Sequence, residues 1–208
     1  MIIDKPKVKE CILGDLNESI KSQEFMFTEY DSKESFNGRV HDVLINSCIF
    51  NNIDFTNIEL DRVEIQDTIF NNCDLSNKLF DYTNLTRVEF NNCKMVGSSF
   101  IGSSLNDISI DNSVCKYCNF SEARITKLIV NHSDMSYITF NETKLKKTIF
   151  NEVLFKGSEI SNTSLNNIDL SSCDISGMMI DNYSLKGMII DKYQSYLLVT
   201  MLGVKIKE

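Results

Sequence analysis

Residues 88–100 read Val88-Glu-Phe90-Asn-Asn-Cys-Lys-Met95-Val-Gly-Ser-Ser-Phe100, so that an apolar residue returns at the fifth position each time. The same spacing continues in both directions without a break, from Val40 to Ile190. At the chain's apolar fraction of 42%, thirty-one such positions in a row have a chance probability on the order of 10⁻¹². A period of five matches neither a helical turn nor the alternation of a strand. The chain must therefore turn a corner every five residues.

The other positions of the five-residue unit support a corner. Two residues before each apolar centre stands a small or apolar residue, such as Cys93 or Ser98, which suits a second inward position because side chains alternate along a strand. Two residues after the centre stand residue types that tolerate positive φ and therefore predict a turn. The asparagines and glycines at this turn position are Asn52, Asn57, Asn72, Asn77, Asn92, Gly97, Gly102, Asn112, Gly157, Asn162, Asn167, Gly177, Asn182 and Gly187.

Four such sides close a coil of about twenty residues, and paired strands stack at about 4.8 Å. Residues 38–192 then form between seven and eight coils, a rod of roughly 36 Å. Centres twenty residues apart should stack inside the rod. The stacking predicts two phenylalanine ladders, Phe80, Phe100, Phe120 and Phe140 in one and Phe50, Phe70 and Phe90 in the other.

This pattern resembles the pentapeptide-repeat family over about three quarters of the chain, and the resemblance implies an all-β solenoid, a right-handed quadrilateral β-helix. The ending is more specific. Tyr193-Gln-Ser-Tyr-Leu197-Leu198, with Leu202-Gly203 after it, is similar to the tail of the fluoroquinolone-resistance branch, the Qnr and MfpA type. The unbroken register lacks the projecting loops of some members, so the chain is more like the loop-free Gram-positive and mycobacterial ones.

We expect three regions. Residues 1–37 form an amino-terminal cap or irregular first coil, with a short amphipathic helix that includes Ile12, Leu13, Leu16 and Ile20. Residues 38–192 form the pentapeptide-repeat β-helix. Residues 193–208 form a short carboxyl-terminal helix and a tail, and the resemblance implies that two copies pair there as a homodimer, with capping of a monomer as the alternative. The residues expected at this contact are Leu197, Leu198, Met201, Leu202, Val204 and Ile206.

The sequence gives no sign of catalytic chemistry. His41 and His132 are the two histidines, both at turn positions, and their spacing places no nucleophile beside a base. The seven cysteines mostly occupy inward positions, so we interpret them as buried reduced thiols, with Cys73 and Cys93 stacked one coil apart. We therefore expect no enzyme activity, no cofactor and no metal site.

A secretory signal needs an uninterrupted apolar stretch near the start of the chain, and acidic residues interrupt that stretch here. No apolar run in the sequence is long enough to cross a membrane. We expect a cytoplasmic protein that contacts neither membrane nor nucleic acid directly.

Charge is distributed unevenly over the predicted rod. Residues 40–115 carry eleven Asp and Glu against four Lys and Arg, whereas residues 116–192 carry nine of each kind. The side centred on Leu60, Phe80 and Phe120 and the side centred on Phe50, Phe70 and Phe90 are acidic, the side between them is nearly neutral, and the fourth is basic. Two acidic sides that flank a nearly neutral one imitate the phosphate strands of DNA.

The resemblance implies the partner: members of this branch dock on the type II topoisomerases DNA gyrase and topoisomerase IV as DNA mimics and alter fluoroquinolone sensitivity. The alternative function is an interaction scaffold with a partner other than a topoisomerase. The alternative explanation of the negative charge is that it serves only to keep the protein soluble. The acidic residues expected to bind topoisomerase are Asp54, Glu59, Asp61, Asp74, Asp81, Glu89 and Asp111.

Overall fold

Residues twenty apart pair in parallel through the repeat, so that Ile65 lies beside Leu85, Leu85 beside Leu105 and Leu105 beside Ile125. The computed structural model describes residues 2–201 and 203–205, and these form a parallel β-solenoid of about 8 turns with two short helices. The predicted fold class is confirmed. The five-residue period produces this fold because four units close one coil and the next coil extends the same sheets.

Fifteen strands and two helices make up the described part of the chain. The helices are α1 (Leu16–Ser22) and α2 (Gln194–Met201). The strands are β1 (Ile12–Leu13), β2 (Phe25–Met26), β3 (Thr28–Asp31), β4 (Gly38–His41), β5 (Leu44–Asn46), β6 (Ile49–Asn51), β7 (Ile58–Asp61), β8 (Glu64–Asn71), β9 (Asn84–Asn91), β10 (Ser104–Asp111), β11 (Arg124–Asn131), β12 (Thr139–Asn141), β13 (Lys144–Asn151), β14 (Glu159–Ser161) and β15 (Met179–Ile180). The largest sheet runs β1-β3-β6-β8-β9-β10-β11-β13, with β2 and β5 beside it, and two smaller sheets run β12-β14-β15 and β4-β7.

The apolar centres form a continuous core along the axis. All of them from Val40 to Ile190 are buried except Leu145, Ile180, Leu185 and Ile190, which are half-buried. Both phenylalanine ladders are confirmed, with ring centroids 5.1 Å apart for Phe50 and Phe70 and 4.9 Å apart for Phe100 and Phe120. Face-on aromatic stacking repeats from coil to coil because the coils repeat in register.

The corners follow the turn chemistry of the sequence. At a typical corner the carbonyl of Met95 accepts a hydrogen bond from the Ser98 amide at 3.1 Å, and Gly97 between them has φ of +72°. This is the third position of a type II turn, which requires positive φ. Of the predicted turn residues, Asn57 and Asn182 do not have positive φ, and the others do.

One corner differs because the strands on its two sides are continuous through it. The eight-residue strands β8, β9, β10, β11 and β13 continue through the corner at positions 67, 87, 107, 127 and 147, where one residue of each strand has positive φ and stands outside the register that pairs its neighbours on both sides. We call the line of these five residues the strand corner. It joins the basic side to the side centred on Phe50, Phe70 and Phe90.

The amino-terminal cap differs partly from its prediction. Helix α1 buries Leu16 and Ile20, and the Asp15 carboxylate caps it by accepting from the Asn17 and Glu18 amides. Ile12 and Leu13, which were expected on the same helix, instead form β1 and are exposed. The helix starts later because Gly14 and the Asp15 cap stand between the two segments.

A second feature of this region is an extended strap, residues 2–11, that runs along the strand corner. The Asp4 amide donates to Asp107 at 2.8 Å, the Lys7 amide donates to Asp67 at 2.9 Å, and the Cys11 thiol donates to the Ser47 carbonyl at 3.1 Å. The strap therefore spans several coils and covers the part of the strand corner from Asp67 to Lys127.

The carboxyl end closes through a side chain rather than through apolar packing alone. The buried Gln194 amide group donates to the carbonyls of Leu170 and Cys173 at 2.8 and 2.7 Å, and its oxygen accepts from the Asp191 amide at 2.9 Å. These bonds satisfy carbonyls that a further coil would otherwise have paired. The predicted carboxyl-terminal helix is present as α2.

Candidate protein-interaction surface

The seven acidic residues predicted to bind a partner lie on three sides of the solenoid. Asp54 and Asp74 lie on the nearly neutral side, and the other five divide between the two acidic sides that flank it. The structure therefore does not gather them into one pocket. They form a surface that wraps the amino-terminal half of the rod, and we call these seven residues the acidic surface.

Asp54 and Asp74 are direct neighbours on adjacent coils, joined by a parallel bridge. The Asp54 carboxylate accepts from the Thr56 amide and hydroxyl at 2.8 and 2.6 Å. Asp74 contacts the Lys94 ammonium at 3.0 Å. Partial burial would raise the pKa of Asp74, but hydrogen bonds from Ser76 and Lys94 outweigh that effect and lower it. Asp74 is therefore ionised at neutral pH, and it is already paired with Lys94.

Glu59 and Asp61 belong to an ion-pair network on the rim of the solenoid. Arg39 lies 3.4 Å from Glu59 and 2.6 Å from Asp61, and Arg62 lies 3.3 Å from Asp61. Arg62 also donates two hydrogen bonds to Asp42, which lower the pKa of that carboxyl and raise that of the guanidinium. The arginines cancel much of the charge that the sequence suggested here.

The remaining three residues differ in how freely they present charge. Asp81 accepts from the Ser99 hydroxyl and from the Ile101 amide. Asp111 lies 3.6 Å from the His132 imidazole. Glu89 makes no ion pair with any residue in the described part of the chain. Asp54, Asp81 and Glu89 are therefore the members of the acidic surface that lack a cationic partner within residues 2–201 and 203–205.

Lys78 belongs to the acidic side centred on Leu60, Phe80 and Phe120, but its charge does not face solvent. Lysine is usually a surface residue, but Lys78 occupies the inward position before Phe80 and is buried. Its ammonium donates to the carbonyls of Thr56 and Ile58 at 3.0 and 2.8 Å, and burial lowers the pKa of Lys78. The outer face of this side is therefore more acidic than the sequence suggested.

The cysteines behave as small core residues. Six of the seven are buried, and Cys11 on the strap is half-buried. Cys73 and Cys93 are neighbours in one inward column, and each thiol donates to a carbonyl of a preceding coil. The hydrogen bond with Cys93, together with burial, raises the pKa of Cys73. This thiol is consequently poorly nucleophilic.

Within residues 2–201 and 203–205, no three His, Cys, Asp or Glu side chains lie close enough together to hold a metal ion. Neither helix of this same part of the chain has the length and apolar character to cross a membrane.

Only some of the residues predicted for a dimer contact lie in the described part of the chain. Leu197 and Leu198 are half-buried and pack on the last coil, and Val204 is 52% exposed. Met201 ends α2, and Leu202 and Ile206 lie outside the described residues. Leu197 and Leu198 therefore act as a cap for the solenoid, and among the described members of the predicted contact Val204 is the one exposed to a second copy.

A solenoid with a solid core, a charged exterior and repeated corners defines a repeat protein. Two sequence profiles identify its family: one described as "Pentapeptide repeat region" matches residues 43–120, and one described as "Pentapeptide repeats (8 copies)" matches residues 138–177. Together they cover more than half of the chain, which belongs to the pentapeptide-repeat family.

The similarities between this chain and proteins of known structure are remote. No curated protein matches the sequence significantly. Among solved structures, a trypsin-treated variant of QnrB1, a plasmid-mediated fluoroquinolone resistance protein, is 22% identical with a TM-score of 0.45, over 88% of this chain and 89% of that one. HetL from the cyanobacterium Nostoc sp. strain PCC 7120, involved in heterocyst differentiation regulation, is 10% identical with a TM-score of 0.37, over 84% and 95%. A pentapeptide repeat protein from the Arabidopsis thaliana thylakoid lumen is 19% identical with a TM-score of 0.38, over 48% and 63%.

Proposed function

We propose that this protein binds a type II topoisomerase, DNA gyrase or topoisomerase IV, as a DNA mimic and thereby modulates fluoroquinolone sensitivity. The observation that carries the proposal is the excess of acid over base in residues 40–115, displayed on a rod. A basic DNA-binding saddle attracts such a rod electrostatically. The tail from Tyr193 to Gly203, which resembles the fluoroquinolone-resistance branch, supplies the identity of the partner.

The magnitude of the charge sets the strength expected of this mimic. B-DNA carries one charge per about 1.7 Å, roughly 21 over the length of the rod. Residues 40–192 carry 20 carboxylates and 13 Lys and Arg, and several of these cancel in ion pairs. Binding must therefore depend on local patches and on shape, and it should be weaker than the binding of DNA itself.

The ion pairs rank the residues of the acidic surface. Asp54, Asp81 and Glu89 offer charge without a cationic partner among the described residues, whereas Asp61 contacts two arginines. An approaching lysine or arginine gains more from an unpaired carboxylate, because a paired one must first lose its present contact. We therefore propose Asp54, Asp81 and Glu89 as the principal contacts, with Glu59, Asp61, Asp74 and Asp111 as weaker ones.

The test uses purified protein in a gyrase supercoiling assay, together with ciprofloxacin sensitivity of a strain that expresses it. Inhibition of supercoiling at micromolar protein and a changed drug sensitivity are expected. If neither effect occurs, the topoisomerase proposal fails. A scaffold with another partner then becomes the better explanation, and the internal pairing at Asp61 and Asp74 is the observation that favours it.

A matched pair of variants locates the contact. Asp54 and Asp174 lie on the same side, and each accepts an amide hydrogen bond from the residue two positions later, at 2.8 and 2.9 Å. Asp54→Lys should weaken topoisomerase binding, measured by surface plasmon resonance at low salt, by about tenfold. Asp174→Lys changes the net charge equally in the less acidic half and should have a smaller effect. Equal effects would show that only net charge matters.

A further inference from the structure

A groove of about 860 Å³ opens at the amino-terminal end of the solenoid, where the stack of coils begins. Residues of β1, α1, β2 and β5 line it. Its volume lies within the range of natural ligand sites. It lies outside the acidic surface defined above.

The groove has an apolar floor that the chain leaves open to solvent. Ile12 and Leu13 are 70% and 78% exposed, and Met26 and Leu44 are 51% and 42% exposed. Single exposed apolar residues are ordinary, but a contiguous patch with a polar rim is typical of an interaction site. The floor therefore fits apolar side chains of another molecule.

The groove also contains an unpaired sheet edge. Strand β2 pairs with β5 on one side and with no other strand in the described part of the chain, because no coil precedes it there. An exposed edge offers main-chain donors and acceptors to an added strand. An extended peptide on this edge would occupy the place of one more coil and would continue the stack.

The rim sets the charge of the occupant. Asp15, Glu18, Glu24 and Asp42 line the groove, and no lysine or arginine is among the lining residues. Asp15 caps α1, and Asp42 is paired with Arg62, so Glu18 and Glu24 remain available to a ligand. A second copy that docked through the same end would bring acid against acid. Charge complementarity favours a cationic occupant instead.

We infer that this groove binds an extended segment of a partner protein in which lysine or arginine alternates with apolar residues. The segment adds a strand to β2, its apolar side chains cover Leu13, Met26 and Leu44, and its cations meet Glu18 and Glu24. The inference is independent of topoisomerase binding, because it depends on the end of the rod and not on the acidic surface.

The experiment measures fluorescence anisotropy of a labelled six-residue peptide, alternating valine and lysine, titrated with the full-length protein. Saturable binding is expected, and it should weaken as salt is raised. The double variant Glu18→Lys/Glu24→Lys should weaken it by about tenfold, as expected for the reversal of two exposed ionic contacts. The matched control, Glu122→Lys/Glu142→Lys, alters two exposed acids far from the groove by the same net charge and should bind as the parent protein does.

Three outcomes would overturn the inference. The first is no binding at millimolar protein, and the second is an equal loss in both double variants. The third is sedimentation that shows self-association of the parent protein and its loss in Leu13→Lys, since the occupant would then be a second copy. Melting temperatures of all variants establish that they fold. Slower amide exchange at Phe25 and Met26 in the presence of the peptide would support strand addition.

Discussion

The Arg87 guanidinium donates two hydrogen bonds to the Asp67 carboxylate on the preceding coil, from Nε at 2.6 Å and from Nη2 at 2.7 Å. The strap covers this pair, and its Lys7 amide donates to the same carboxylate at 2.9 Å. Asp67 is only 4% exposed. A bidentate pair that is shielded from water in this way is stronger than the ion pairs on the rim of the rod.

The Asp67 pair predicts an acid-dependent loss of stability. The hydrogen bonds from Arg87 outweigh burial and lower the pKa of Asp67 from 3.8 to about 2. Its stabilisation is therefore complete above pH 4 and disappears as the pH falls towards 2. A shift of this size corresponds to about 2 kcal/mol, so Asp67→Asn should lower the free energy of unfolding by about that amount at pH 7. Chemical denaturation at pH 7 and at pH 2 measures the difference.

The Asp67 variant has an internal control. Asp42→Asn removes an exposed pair with Arg62, and exposed pairs contribute little, so its effect should be much smaller at both pH values. A loss for Asp67→Asn that is as large at pH 2 as at pH 7 would contradict the ionic explanation. It would indicate a defect of packing instead.

Lys78 gives the second prediction. Lys78→Met keeps an apolar stem of similar length but leaves the Thr56 and Ile58 carbonyls without the ammonium donor. Unsatisfied buried groups cost about 1–3 kcal/mol each, and the easier burial of methionine offsets part of this cost. We expect a net loss of about 1–2 kcal/mol in urea denaturation. Lys94→Met, which removes an exposed pair with Asp74, should change stability by less than about 1 kcal/mol, and a stabilised Lys78→Met protein would refute the proposed role.

The sequence predicted the solenoid because its signal is periodic and repeated. Each centre that falls on the five-residue grid is one more observation of the same coil, and asparagine or glycine marks the corners for a steric reason. The phenylalanine ladders followed directly, since residues twenty apart must stack once the coil length is known. The position of Leu105 on the five-residue grid is likewise sufficient to predict that its side chain lies in the core.

The features that the sequence analysis missed depend on single side chains and on contacts between distant residues. Lys78 stands two residues before the centre Phe80, so the five-residue grid predicts that it points inward. Lysine is rarely buried, however, and the residue type therefore favours the surface. The pairing of Asp67 with Arg87 also had a signal, because opposite charges stand twenty residues apart at one corner. The strap has no signal in the sequence. Residues 2–11 have no five-residue period, and Asp4 contacts Asp107 and Lys127 only because the fold brings these distant residues together.

Gln194 gives the third prediction. Its buried amide group closes the last coil through three hydrogen bonds, so Gln194→Ala should lower the free energy of unfolding by about 2–3 kcal/mol. Amide exchange in residues 165–190 should also become faster, because the final coil loses its cap. Ser195→Ala is the matched control, since the Ser195 hydroxyl donates to the Lys192 carbonyl at an exposed site. Equal exchange in the two variants would mean that apolar packing by Leu197 and Leu198 is sufficient to close the rod.

The last prediction concerns the proposed pairing of two copies through their carboxyl ends. Val204 is exposed and makes no packing contribution that the cap requires, whereas Leu197 and Leu198 pack on the core. Val204→Glu should therefore separate a dimer into folded monomers, because a carboxylate would be buried against its symmetry mate. Sedimentation velocity of the parent protein and of the variant measures this, with melting temperature as the check on folding. Lys205→Glu, one position further along, changes an exposed charge without placing it among apolar residues, and it should leave the mass unchanged. A parent protein that sediments as a monomer at 100 micromolar would refute the pairing, and the carboxyl end would then serve only to cap the rod.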